Sequence, residues 1–336
     1  MVVAQFPESY LSDWPITRHH MCFAISINIV QLCSMLLVPF SRRLVWSINT
    51  RGAQSMWWVM QASREYFLTF TYVNIWYCSI LILKFIPVLK YIFERQHRGH
   101  ITFSGDKIPS DESAIVISNH QSFSDFYMLH SVAIRRNMLP HVKYFAKDSL
   151  KYIPFFGFGM WLMGMIFIKR NWTRDESQLK KIFKTIKAYA APIWIVNFVE
   201  GTRLTSRKLL ESQRFAKGRG LPILRNLLVP RTKGFVACVR QLRDAHVQYV
   251  YVGDNLESLL YLDFTIAYRH IAQGFQFPPN LLQVHSYSPL SPPWSFHVHV
   301  RRYAIKDLPQ EDEKLSEWVR QIFVEKDALL EDMKTR

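Results

Sequence analysis

The sequence predicts an α/β fold, a mixed central sheet flanked by helices, preceded by an N-terminal helical membrane-anchoring element. Three observations carry this. Residues 1–95 hold two long uncharged segments, residues 96–309 alternate short apolar runs with amphipathic stretches, and residues 310–336 follow one helical period. The 336 residues are 49% hydrophobic and 20% charged, which suits one large domain, or one domain plus a small extra element, and argues against disorder, collagen or a coiled coil for the bulk. Four cysteines with no C-x-x-C pair argue against a disulfide scaffold and a structural zinc site. The formal net charge of +16 calls for a polyanionic partner: nucleic acid, an anionic membrane face or a phosphorylated substrate.

In the N-terminal element, Met21 to Phe40 and Tyr66 to Leu83 are uncharged. A spanning helix needs about 20 such residues. Tyr66, Trp76, Tyr77 and the Trp57–Trp58 pair stand where interfacial aromatics anchor. Two core helices of a soluble protein are the alternative, but soluble helices rarely run apolar all round for this length. A cleaved signal peptide fits poorly, because Glu8 and Asp13 precede the first segment and no small-x-small site follows it. Arg42, Arg43, Arg51 and Arg64 lie between the segments and Lys84, Lys90, Arg95 and Arg98 follow, so charge does not fix the orientation. The pair either spans twice or lies monotopically. No third spanning segment follows, which disfavours a polytopic transporter.

In the α/β domain, strands are expected at Ala114–Ser118, Met165–Ile168, Ile193–Val199, Val247–Val252 and His297–Ile305. Helices are expected at Asp125–Ile134, Asp175–Ala190, Gly234–Arg243 and Glu257–Ala272. The proline-rich stretch from Pro278 to Pro293 reads as an irregular connection. From Pro309 onward, Leu315, Trp318, Val319, Ile322, Leu329, Leu330 and Met333 recur at helical spacing, the pattern of a terminal helix packed on the domain.

The chemistry concentrates beyond strand ends. His120 has Asp125 five places later, about 500° around a helix, so the two meet only if His120 sits on a loop and Asp125 in the first turn of a helix. The local signals agree: an apolar strand ends at Ser118, and Ser122 or Ser124 can cap a helix beginning near Asp125. A carboxylate on one ring nitrogen fixes the tautomer and frees the other to take a proton. One such pair among twelve histidines is of the order of chance. Three further blocks change its weight. Gly164–Arg170, Phe198–Arg203 and Leu228–Gly234 each place cations beyond a strand or on a turn, where open α/β sheets collect phosphate ligands. From Arg203 to Arg240 there are ten Lys or Arg and one acid, Glu211.

These residues resemble the glycerolipid acyltransferase family that includes 1-acylglycerol-3-phosphate acyltransferase. Its four blocks stand in order at Asn119–Asp125, Gly164–Arg170, Phe198–Arg203 and Val229–Gly234. Val199 departs from the usual proline of the third block. The Pro230–Gly234 turn, the run Asp263–Tyr268, and Lys147, Leu150, Pro154 and Gly157 are similar to the subgroup with lysocardiolipin and lysophosphatidylinositol acyltransferases. The resemblance implies an acyltransferase that moves a fatty acyl chain from acyl-CoA, as co-substrate, to the hydroxyl of a lysophospholipid, with lysophosphatidylinositol or lysophosphatidic acid favoured. His120 would be the general base, oriented by Asp125. Arg170, Glu200, Gly201, Thr202 and Arg203 would hold the glycerol phosphate, with Arg231 and Lys233 beside them. Lys147, Leu150, Pro154 and Gly157 would border the acyl pocket. Amides at the start of the helix after His120 would stabilise the oxyanion. No cofactor or metal is required.

No Gly-x-Ser-x-Gly elbow is present and no cysteine lies near His120, which disfavours an acyl-enzyme. The expected partners are acyl-CoA, the lysophospholipid and the lipid bilayer, with no nucleic acid. The expected location is the endoplasmic reticulum membrane, with the lipid droplet as the other candidate and the catalytic domain on the cytosolic side. Two alternatives stand beside this: a basic nucleic-acid-binding protein, which leaves the uncharged segments unexplained, and an inactive membrane scaffold, which leaves His120 and Asp125 unexplained.

Overall fold

A computed structural model of the chain describes residues 97–153, 163–169, 172–189, 192–243 and 260–335, together with residues 29, 30, 33, 48, 49, 51, 93, 94, 157, 160 and 161. The two uncharged N-terminal segments, apart from Ile29, Val30 and Cys33, lie outside the described residues, as do the strand expected at Val247–Val252 and two named site residues, Pro154 and Arg170. Among the described residues, no helix is long and apolar enough to cross a membrane. The chain divides into two compact units, residues 1–92 with 148–165, and residues 93–147 with 166–336.

The second unit is built on a sheet of β1 (Ile101–Gly105), β2 (Ala114–Ser118), β3 (Val142–Lys147), β4 (Ile166–Ile168), β5 (Trp194–Asn197), β6 (Leu260–His270), β7 (Gly274–Phe275) and β8 (Trp294–Ala304). The order is β1-β8-β6-β2-β5-β3-β4, with β7 paired to β6. Strands β2 to β6 run parallel, and β8 returns antiparallel to β6, so the sheet is mixed. β2 sits at the centre with all five residues buried, as a strand covered on both faces should be. The parallel strands therefore end together, and His120, Phe198–Arg203 and the long overhang of β6 gather beyond that edge.

Helix α1 (Ser124–Arg135) covers one face, with Phe126 against Tyr144 of β3. Three helices cover the other: α2 (Trp172–Tyr189), α4 (Thr232–Leu242) and α6 (Asp312–Thr335). Their side chains Leu179, Phe183, Phe235, Val239, Leu315 and Phe323 form one core with Ile115, Ile117, Ile195 and Tyr261 of the sheet. Burial at this density, about 1.5–3 kcal/mol for each large apolar side chain, is what holds α6 on the sheet. Between them, α3 (Ser206–Gly218) lies at the surface, started by Thr205, whose hydroxyl accepts from Lys208 N. A short helix, α5 (Leu281–Ser286), interrupts the proline-rich stretch and is closed by a reciprocal Asn280–Gln283 capping box.

The helix expected over Glu257–Ala272 is instead the strand β6 wherever it is described. Nine consecutive buried residues erase the period-2 alternation that marks a half-exposed strand. Asp263, inside this strand, is fully buried, with Lys326 Nζ of α6 2.6 Å from its Oδ1. The same ammonium donates to Phe264 O at 2.9 Å. β3 escaped notice for a similar reason, because its Lys143 is buried. β1 is an edge strand exposed over most of its length, and α3 lacks a buried stripe.

Removing one member of the buried ion pair leaves the other charge desolvated. Lys326→Met is expected to destabilise the fold by about 3–5 kcal/mol, and Asp263→Leu with Lys326→Met to recover most of that loss. Thermal unfolding of the purified full chain, with both single variants and the double variant, checks this.

Candidate active site

The loop after β2 is fixed before it does any chemistry. Asn119, buried, continues the ladder with its side chain: Nδ2 donates to Ile266 O at 2.8 Å and Oδ1 accepts from Ile266 N at 2.8 Å. His120 follows with its backbone held from two sides. Its N–H donates to Glu200 Oε1 at 2.8 Å, and its carbonyl accepts from Leu204 N at 2.7 Å.

The imidazole faces α1. Nδ1 lies 2.7 Å from Asp125 Oδ2, the carboxylate fully buried and the ring 15% exposed. Asp125 also accepts from Gln121 N at 2.6 Å, from Ser122 N at 3.0 Å and, on Oδ1, from the Tyr268 hydroxyl at 2.7 Å. Four donors on one carboxylate leave it no freedom to rotate. The carboxylate keeps the ring proton on Nδ1, so Nε2 is the nitrogen available to a substrate hydroxyl. Phe198 stacks on the imidazole at 4.1 Å between centroids, and Phe126 meets it edge-on. The ring is therefore placed by a carboxylate in its plane and by aromatics on its face and edge.

One expectation is corrected here. Neither Ser122 nor Ser124 caps α1, because both hydroxyls donate to Pro279 O, at 2.9 and 2.5 Å. The Asp125 carboxylate serves the loop amides instead. The amides of Gln121 and Ser122 are consequently engaged, so these two do not supply an oxyanion hole.

Glu200 departs from its expected place on the glycerol phosphate. It turns inward, with Oε2 accepting from Leu228 N at 3.0 Å while Oε1 holds His120 N. One carboxyl thus ties the third block to the first and to the approach of the fourth. Burial pushes it up to about 8, against the pull of the two amides toward the ionised form. Gly201 turns the chain at φ +69, a conformation glycine adopts freely, and the Arg231 side chain packs close against it. Val199, in place of proline, is buried, and its carbonyl accepts from Arg231 N at 2.7 Å. Thr202 accepts from Lys208 Nζ at 2.6 Å. Arg203, Arg231 and Lys233 are exposed.

Lys147 is exposed at the end of β3. Leu150 and Gly157 belong to the first unit. There a Cβ on Gly157 would collide with Leu150 O, so the close approach of backbone to backbone excludes any larger residue. Among the described residues, no group of three or more His, Cys, Asp or Glu is placed to hold a metal ion.

Tyr268 and Lys208 are the contributors that sequence reasoning missed. Reading β6 as a helix hid the strand parity that puts Phe264, Ile266 and Tyr268 on one face, with the Tyr268 hydroxyl on Asp125. Tyr268→Phe is expected to cost about 10-fold in turnover while leaving the fold intact, since one of four bonds to Asp125 is lost; initial rates and melting temperature check it. Because the Glu200 carboxyl is raised, the folded state holds its proton to higher pH than the unfolded chain. Its contribution to stability is full below about 4.5 and is lost as pH rises through about 8. The melting temperature of Glu200→Gln is expected to lie below that of the native chain at low pH and to fall less between these values.

The family model described as Acyltransferase matches residues 100–252, and that described as Acyltransferase C-terminus matches residues 292–336. The chain is 31% identical over 308 residues to 1-acyl-sn-glycerol-3-phosphate acyltransferase 2 of Arabidopsis thaliana, covering 91% of this chain and 68% of that protein. It is 28% identical over 305 residues to human 1-acyl-sn-glycerol-3-phosphate acyltransferase gamma, covering 91% of this chain and 69% of that one. The crystal structure of the 1-acyl-sn-glycerophosphate acyltransferase from Thermotoga maritima aligns over 94% of each chain, at 14% identity and a TM-score of 0.46. With its ordered blocks and a likeness that runs over 91% of its length, the chain belongs to the glycerolipid acyltransferase family and is an acyltransferase.

Proposed function

We propose that the chain transfers a fatty acyl group from acyl-CoA to the free hydroxyl of a lysophospholipid, with His120 as general base. The observation that carries this is the imidazole held by Asp125 at 2.7 Å, with its far nitrogen left for an acceptor. Nε2 takes the hydroxyl proton as the oxygen attacks the thioester carbonyl. The C–S bond then breaks, and the imidazolium returns the proton to the departing CoA sulfur. The acceptor oxygen keeps the acyl group, and no acyl-enzyme forms.

Arg203, Arg231 and Lys233, with Arg170, would hold the phosphate of the acceptor beside the base. Lys147, Leu150, Pro154 and Gly157 would border the acyl chain. Lysophosphatidic acid is the first acceptor to test, since the relatives above are named for 1-acyl-glycerol-3-phosphate. Lysophosphatidylinositol is the second, on the likeness of the Pro230–Gly234 turn and the Asp263–Tyr268 run to that subgroup. Our reading of its location is the endoplasmic reticulum membrane, with the lipid droplet as the other candidate and the catalytic domain on the cytosolic side, where acyl-CoA is met.

His120→Ala is expected to lower acyl transfer by about 10²–10⁴-fold with an unchanged melting temperature. The assay is purified full-length protein with labelled oleoyl-CoA and a panel of lysophosphatidic acid, lysophosphatidylinositol and lysophosphatidylcholine. Full activity in that variant, or no transfer to any lysolipid by the native chain, defeats the reading.

A further inference from the structure

The loop that carries His120 leans on a segment that the chemistry above does not use. Ser122 and Ser124 donate to Pro279 O, and the Gln121 and Gln276 side chains are hydrogen-bonded to each other. Gln276 N donates to Tyr268 O at 2.8 Å, so the segment also follows the strand that holds Asp125. Ile271 to Tyr287 contains no Asp, Glu, Lys or Arg, in a chain that is 20% charged. Within it Ile271 is 76% exposed, Leu282 52%, Tyr287 48%, Leu281 46% and Phe277 37%. Single exposed apolar residues are ordinary, but five in one stretch of 17 residues without Asp, Glu, Lys or Arg expose more apolar surface than water favours.

The other side of the same loop is basic. Leu204, which holds the His120 carbonyl, leads directly into α3, where Arg207, Arg214 and Lys217 are exposed, with Arg219 just beyond. Leu210 and Phe215 are exposed among them, with the Arg219 guanidinium over the Phe215 ring. An uncharged apolar edge and a cationic helix on either side of one loop match a surface that is apolar beneath and anionic on top. A bilayer also asks for no particular shape, which suits side chains scattered over a turn and a short helix.

We propose that Ile271–Tyr287 is a membrane-docking segment. Its apolar side chains enter the boundary between headgroups and acyl chains of an anionic phospholipid leaflet beside His120, while the cations of α3 lie on the phosphates. The docking stands apart from the lysolipid reading, and only the kinetic test below depends on that reading.

The direct test is spin-label accessibility in the full-length chain with Cys22, Cys33, Cys78 and Cys238 changed to serine. A nitroxide on Leu282→Cys in phosphatidylcholine–phosphatidylserine vesicles is expected to be rich in oxygen and poor in an aqueous nickel chelate, the reverse of a label on Glu313→Cys. Equal nickel access at the two sites overturns the proposal. So does shielding from both reagents, the mark of a protein contact such as a second copy.

In kinetics, Leu281→Ser with Leu282→Ser is expected to lose about 10-fold on lysolipid embedded in those vesicles and nothing on a short-chain lysolipid dispersed as monomer. Arg214→Gln with Lys217→Gln is expected to lose about fivefold per cation of the rate gained from phosphatidylserine. Equal losses on vesicle and monomer count against docking. If the native chain acylates no lysolipid at all, the lysolipid reading fails and the spin labels still decide the docking.

Discussion

A single carboxylate organises the candidate site. Asp125 is fully buried and collects an imidazole, two backbone amides and a phenol on its two oxygens. Three of those donors come from the loop after β2 and the fourth from the overhang of β6. In a dry interior such bonds are stiff, because each donor that let go would be left without water to replace the lost partner. The position of the base is therefore a property of the fold rather than of the loop alone.

A second carboxyl, Glu200, does the same for the backbone. It joins His120 to Leu228, and so links three stretches of chain that the sequence keeps far apart. The resemblance placed Glu200 among the phosphate ligands. Its two inward hydrogen bonds give it the part of a brace.

The elements legible in the sequence were those with a strong local pattern. β2 is a short unbroken apolar run, α2, α4 and α6 repeat apolar residues at helical spacing, and His120 with Asp125 is separated by a loop and a first turn. The residues that escaped were those whose role depends on a distant partner. Lys143 and Asp263 look like surface residues until the chain folds around them, and Asp263 finds its cation on the last helix. Tyr268 shares a face with Ile266 only if β6 is a strand, which its complete burial disguises. The serines after His120 have the composition of a helix cap, but a carbonyl brought in from Pro279 takes their hydroxyls. Local chemistry was readable, and long-range satisfaction of polar groups was not.

The pairing of Asp263 with Lys326 also bears on descent. The two positions lie on different elements and behave as one inherited character: a lineage that changes the acid must change the base in step, or pass through a crippled intermediate. Drift at either site is then rare and correlated, and related chains should divide cleanly into those that keep both and those that have traded both for hydrocarbon.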